Sequence, residues 1–85
     1  MNVAFTPQAW DEYLHWQRTD PAIVTRIHEL IKDIKRHPHI GIGKPEPLKH
    51  ALQGYWSRRI TSEHRLVYRK SGGEIIITQL RYHYR

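Results

Sequence analysis

Six aliphatic residues, Ile23, Val24, Ile27, Leu30, Ile31 and Ile34, recur at helical spacing directly after the pair Asp20-Pro21. Asp20 offers a side-chain acceptor at the N-cap, and Pro21 fits the first helical position, where its missing N–H forfeits nothing. Start signal and period therefore agree on one helix, which His37-Pro38 ends because proline disfavours helical backbone in the residue before it. Such a helix has one apolar stripe and must bury it against another layer.

What supplies that layer can be read from the rest of the chain. Thr6 is a second N-cap followed by Pro7, and Trp10, Tyr13, Leu14 and Trp16 give a first helix of about three turns ending near Thr19. The two helices, joined at Asp20, form an antiparallel hairpin. Val3 to Phe5 reads as a short opening strand. Residues 37–54 carry Pro38, Gly41, Gly43, Pro45, Pro47 and Gly54, too much punctuation for a helix, and read as a long ordered loop of the kind that often serves function. Beyond it, Tyr55 to Ile60, His64 to Lys70 and Glu74 to Leu80 are β-rich runs joined by Thr61-Ser62-Glu63 and Ser71-Gly72-Gly73, an antiparallel meander. The expected class is α+β: an N-terminal strand, then an antiparallel two-helix hairpin packed on one face of an antiparallel sheet, with the other face free.

At 85 residues the chain is expected to be a single domain, residues 1–85, with one modest core. It has no cysteine, so no disulfide supports it, in keeping with a reducing compartment. Met1-Asn2-Val3-Ala4-Phe5-Thr6 lacks a basic start followed by an apolar run, so we expect neither signal peptide nor membrane span, and a cytoplasmic location. Charge is uneven. Residues 1–33 hold three bases against five acids, and the remainder eleven against three, so a net −2 is followed by +8. A cationic half fits a polyanionic partner, which RNA, DNA or an acidic protein would each satisfy, although a solvated basic face has the same composition.

Three segments carry candidate chemistry. Glu46 stands between Pro45 and Pro47, where fixed φ angles and the following proline hold it extended and pre-position its carboxylate as a general base. In isolation, a glutamate in a proline-rich turn is more often a surface carboxylate. Lys49 and His50 follow in the same loop and bring positive charge near it. Arg59 and Arg65 flank a tight connection between two strands, where paired guanidinium forks would suit a phosphodiester, or would simply keep a sheet edge soluble. His83, between Tyr82 and Tyr84, has the side chain best suited to a general acid near neutral pH, and the tyrosines could stack on bases. His37 and His39 are the nearest histidine pair, with no third ligand to complete a metal site, so no metal and no cofactor is expected.

In combination, these segments are more specific than any one of them. Gly43-Lys44-Pro45-Glu46-Pro47-Leu48-Lys49-His50, Gly54-Tyr55-Trp56-Ser57-Arg58-Arg59-Ile60, Glu63-His64-Arg65-Leu66-Val67-Tyr68 and the ending Arg81-Tyr82-His83-Tyr84 closely resemble the YoeB toxins of the RelE/ParE superfamily. The likeness extends back through Trp10-Asp11, Tyr13-Leu14, Trp16-Gln17, Thr19-Asp20 and Ile31-Lys32-Asp33, essentially the whole chain. It implies a RelE-like, microbial ribonuclease-like fold and a ribosome-dependent mRNA endoribonuclease, the toxin half of a type II toxin–antitoxin pair, which cuts A-site codons and so inhibits translation.

Carried over by position, the resemblance makes Glu46 the base that takes the ribose 2′-hydroxyl proton, Arg65 the stabiliser of the charged phosphorane-like state, and His83 the acid that protonates the departing 5′-oxygen. Lys49, Arg59 and Tyr84 would orient the scissile phosphate and its base. The products would be a 2′,3′-cyclic phosphate and a 5′-hydroxyl, formed without a metal. The implied partners are the ribosomal A site and mRNA, a YefM-like antitoxin with an acidic, partly disordered tail, operator DNA as a toxin–antitoxin complex, and a second toxin copy. Arg85, extending past the tyrosine, departs from the family's pattern and makes the role of Tyr84 less secure. Two readings from other classes stand beside this one: a non-catalytic ParE-like gyrase inhibitor, and a basic nucleic-acid-binding module.

Overall fold

The computed structural model describes residues 1–83. The chain runs through β1 (Asn2–Phe5), α1 (Pro7–Thr19), α2 (Pro21–Arg36), β2 (Glu46–Pro47), a 3-10 turn (His50–Leu52), β3 (Trp56–Arg59), β4 (Arg65–Ser71) and β5 (Glu74–Gln79). Both helices begin where their caps put them. Thr6 Oγ1 accepts from Ala9 N at 3.2 Å, and Asp20 Oδ1 accepts from Ala22 N at 3.1 Å and Ile23 N at 3.3 Å. Asp20 also ends α1 by donating its own N–H to Trp16 O, so a single residue makes the corner between the helices.

The five strands form one sheet in the order β1-β5-β4-β3-β2, and the two helices cover one side of it. Ile23, Ile27, Leu30 and Ile34 from α2 and Ala9 and Trp16 from α1 meet Leu66, Tyr68, Ile75, Ile77 and Leu80. Each fully buried aliphatic side chain contributes roughly 1.5–3 kcal/mol relative to exposure. The expected α+β class holds, with two differences. The sheet is mixed, because β1 runs parallel to β5 while β3, β4 and β5 form the antiparallel meander. Within the segment read as loop, Glu46 and Pro47 pair antiparallel with Ser57 and Trp56: the backbone held extended by two prolines can join a sheet edge, where prolines are tolerated.

Arg58 fixes the rest of that segment. It stands on the helix-facing side of β3, opposite Leu66, and is fully buried. All five guanidinium N–H groups find acceptors. Nε donates to Tyr68 OH at 3.2 Å, Nη1 to Asp33 Oδ2 at 2.5 Å and Ile42 O at 3.1 Å, and Nη2 to His37 O at 2.6 Å and Ile40 O at 2.9 Å. Tyr68 OH in turn donates to Pro38 O, and Asp33 Oδ2 accepts from Ile42 N. The guanidinium hydrogen bond holds the Asp33 carboxyl below its usual pKa, against the opposing effect of burial. Burial pushes the Tyr68 phenol up, an effect that the Arg58 hydrogen bond partly offsets.

Removing one partner of such a buried network leaves the others unsatisfied, so Arg58→Ala should lose about 3–5 kcal/mol in urea unfolding. Arg59→Ala, exposed on the same strand, should stay within about 0.5 kcal/mol. The pH dependence has a definite sign. Since the folded-state pKa of Asp33 lies below the unfolded one, its contribution is complete above about pH 4 and is lost as pH falls through the folded value. Urea midpoints recorded from pH 6 to pH 2 should decline less steeply in Asp33→Asn than in the natural sequence.

Candidate functional site

The face turned away from the helices is built in rows. Residues paired across neighbouring strands point to the same side of a sheet, and Glu46 pairs with Ser57, Ser57 with Val67, and Val67 with Gln79. Arg59 pairs with Arg65 one step along the same face. Glu46, more than a dozen positions earlier in the chain, is therefore a neighbour of Arg59 and Arg65. Arg65 Nη2 lies 3.3 Å from Glu46 Oε2, with the arginine side chain nearly buried and the glutamate half exposed. Lys49 adjoins this face, lining a concavity of about 340 Å³ with Glu46, Pro47, Leu48 and His50.

His83 reaches the same region along the C-terminal segment. Leu80 is held as it leaves β5, its N–H donated to Glu12 Oε1 at 2.7 Å and its carbonyl accepting from Trp16 Nε1 at 2.9 Å. Arg65 N donates to Tyr82 O, and Tyr82 N donates to His64 Nδ1, both along the edge of β4 that continues into the Arg59–Arg65 pair. Gln79 Nε2 donates to Arg81 O at 2.6 Å and to His83 O. His83 itself is exposed, as a group that meets a substrate must be. Tyr84 and Arg85 lie outside the described residues.

Among the described residues, three non-glycine positions have positive φ: Lys44 at 52°, His50 at 57° and Tyr82 at 61°. Lys44 stands two residues before Glu46, His50 directly after Lys49, and Tyr82 directly before His83. Each carries a cost of about 1–2 kcal/mol that the surrounding contacts must offset, and such strain gathers at functional sites. Among the described residues, no group of three or more His, Asp or Glu side chains converges as a metal ion would require. Sequence reasoning passed over Gln79 and His64. A histidine beside Arg65 carried a local signal, whereas Gln79 did not, since strict alternation from Ile75 and Ile77 puts it on the helix side.

The sequence model for the YoeB-like toxin of bacterial type II toxin–antitoxin systems matches residues 5–84. The chain belongs to this family. Toxin YoeB of Escherichia coli K12 is 56% identical over 84 residues, covering 99% of this chain and all of that one. A YoeB/ParE toxin from Agrobacterium tumefaciens superposes with a TM-score of 0.95 at 52% identity, over 99% of this chain and 100% of the other. Two Staphylococcus aureus chains, one in a YoeB dimer and one in a YoeB–YefM complex, give TM-scores of 0.92 and 0.91 at 48% and 47% identity, each covering 99% of this chain and 98% of its own. This chain is thus a YoeB-like toxin of a toxin–antitoxin system with the fold of that family. No described helix is long and apolar enough to cross a membrane.

A half-exposed ion pair contributes little to stability, because water competes for both charges. Glu46→Gln should therefore change the unfolding free energy by less than about 1 kcal/mol. A loss of several kcal/mol in urea titration would instead make the Glu46–Arg65 contact part of the framework.

Proposed function

We propose that residues 1–85 act as one toxin domain that cleaves mRNA in the ribosomal A site, with Glu46 as base, Arg65 as the cationic stabiliser and His83 as acid. The observation that carries this reading is the contact of the Glu46 carboxylate with the Arg65 guanidinium on the open face, next to Arg59 and to the segment that carries His83. A base, a fixed cation and an acid at one phosphodiester are what RNA transesterification needs.

In the proposed reaction, Glu46 takes the proton from the ribose 2′-hydroxyl and the freed oxygen attacks the adjacent phosphorus. Negative charge grows on the non-bridging oxygens, where Arg65 stabilises it. Its nearly buried stem costs little reorganisation at that moment. As the bond from phosphorus to the 5′-oxygen breaks, His83 gives that oxygen a proton, leaving a 2′,3′-cyclic phosphate and a 5′-hydroxyl. Lys49 and Arg59 hold the phosphate, and Tyr84 orients its base. No metal enters this scheme, since the three side chains cover proton removal, charge and proton return.

The setting would be the cytoplasm, where the basic surface meets rRNA and mRNA. A YefM-like antitoxin with an acidic tail would neutralise that surface and fold on it, as the YoeB–YefM relative of known structure invites, and the complex would bind operator DNA. A toxin homodimer is proposed by the same likeness.

Primer extension on an mRNA translated in a purified system tests the reading. Cuts within A-site codons should appear with the natural protein and slow by about 10²- to 10⁴-fold in Glu46→Ala and in His83→Ala, with the fold retained. Wild-type rates in both variants would remove the assigned roles. Intact mRNA with folded, antitoxin-free protein would favour gyrase inhibition, read by a supercoiling assay, or nucleic-acid binding without cleavage.

A further inference from the structure

The end of β5 breaks the alternation that governs the rest of the strand. Ile77 pairs with Tyr68 and Gln79 with Val67, so two residues of β5 advance against one of β4 and Thr78 is the extra residue of a bulge. Before the bulge, Ile75 and Ile77 face the helices. After it, Gln79 pairs with Val67 on the open face, while Leu80 turns into the core. A bulge re-aims side chains, and here it moves a carboxamide into the row that holds Glu46, Ser57 and Val67.

That carboxamide has a defined task. Gln79 is buried, and both of its Nε2–H groups are engaged, one with Arg81 O and one with His83 O. Because both partners are carbonyls, only the NH₂ end of the side chain fits them. Between these two contacts Tyr82 takes a positive φ, its N–H donated to His64 Nδ1 and its carbonyl accepting from Arg65 N. The backbone thus makes a single strained loop around the Gln79 amide, and the residue delivered by it is His83. Aspartate, glutamate, serine or leucine at this position could not donate twice at once.

We infer that Gln79 is a positioning residue, whose side-chain amide clasps the carbonyls of Arg81 and His83 so that the imidazole of His83 is held at the scissile phosphate. This rests on the reading of His83 as the general acid. Gln79 touches neither substrate nor reacting atoms. It acts by holding the backbone from which the acid projects, and small displacements of an acid or base carry large rate penalties.

The test uses full-length toxin, the substitutions Gln79→Leu and Gln79→Glu, and His83→Ala alone and combined with Gln79→Leu. Leucine keeps the bulk and removes both donors. Glutamate keeps the shape and sets a carboxylate against two carbonyls. Backbone ¹⁵N order parameters in the natural protein should be as high at Tyr82 and His83 as in the strands, and should fall in both Gln79 variants, with thermal unfolding confirming the fold. In the ribosome assay at saturating toxin, Gln79→Leu should slow cleavage by about 10- to 100-fold with KM within about two-fold. On the His83→Ala background it should cost less than about two-fold, because a positioning residue has nothing left to position.

A frayed Tyr82–His83 segment in the natural protein would overturn the inference without recourse to any variant. Unchanged order or unchanged cleavage in Gln79→Leu, or a full additional loss on the His83→Ala background, would also overturn it. If His83→Ala itself cleaves at the natural rate, the assignment of the acid has failed and the inference falls with it, an outcome distinct from an active toxin, a slow His83→Ala and a fast Gln79→Leu.

Discussion

The hydrogen bonds of one buried guanidinium decide where the loop after α2 can go. Arg58 is sealed between β3 and α2, and a charge in such surroundings is tolerable only when every donor is matched. Its acceptors come from Asp33 at the end of α2, Tyr68 on β4, and the carbonyls of His37, Ile40 and Ile42. The loop after α2 therefore wraps a point charge and not an apolar surface. Gly41 passes so near that a Cβ on it would fall 1.9 Å from Asp33 Oδ2, and its φ of 123° belongs to glycine. From there Gly43 O meets Arg59 N, and the chain enters the Pro45-Glu46-Pro47 edge strand. Adjacent arginines on one strand face opposite ways: Arg58 fastens the loop that carries Glu46, and Arg59 faces the site that Glu46 belongs to.

A second and separate set of contacts holds the other end of the site. Trp16 and Glu12 of α1 satisfy the carbonyl and N–H of Leu80 just where the sheet stops supplying partners. Arg81 spreads over Trp16 and Tyr82, its Cζ lying 5.6 Å and 4.8 Å from the two ring centres. The helix hairpin thus acts on the open face from behind the sheet, through the strand end it grips. Arg65 joins the two sets, since its side chain meets Glu46 and its backbone N–H meets Tyr82 O.

What the sequence made legible follows from how local each cause is. Thr6, Asp20 and the 3.6-residue stripe of α2 announce themselves within a few positions, so both helices stand where expected, and the three meander strands agree to within a residue at each end. The parallel pairing of β1 with β5 joins residues more than seventy positions apart and leaves no local mark. Arg58 was within reach: Trp56, Arg58 and Ile60 alternate as one face, which places a charge in an apolar row and demands partners. No separate role was read for Arg58, and that signal was lost. Spacing around one tight connection already paired Arg59 with Arg65, but adding Glu46 to them required the resemblance, because strand register brings it there and no spacing encodes it. Gln79 was hidden by the bulge, since a period-two reading puts it on the wrong side.

The proposed acid lies past the last strand, where the sheet no longer supplies the backbone with partners. Here the restraint comes from elements that are themselves distant in sequence: α1 through Glu12 and Trp16, β4 through His64 and Arg65, and β5 through Gln79. The α1 contacts among them depend on the hairpin being packed on the sheet. Glu46, by contrast, depends on the loop around Arg58 and on a two-residue edge strand. Glu46 and His83, the proposed base and acid, are thus placed by different contacts that Arg65 joins, so an opening of the C-terminal segment would displace His83 while leaving the loop around Arg58 in place. Local opening of this kind costs less than global unfolding.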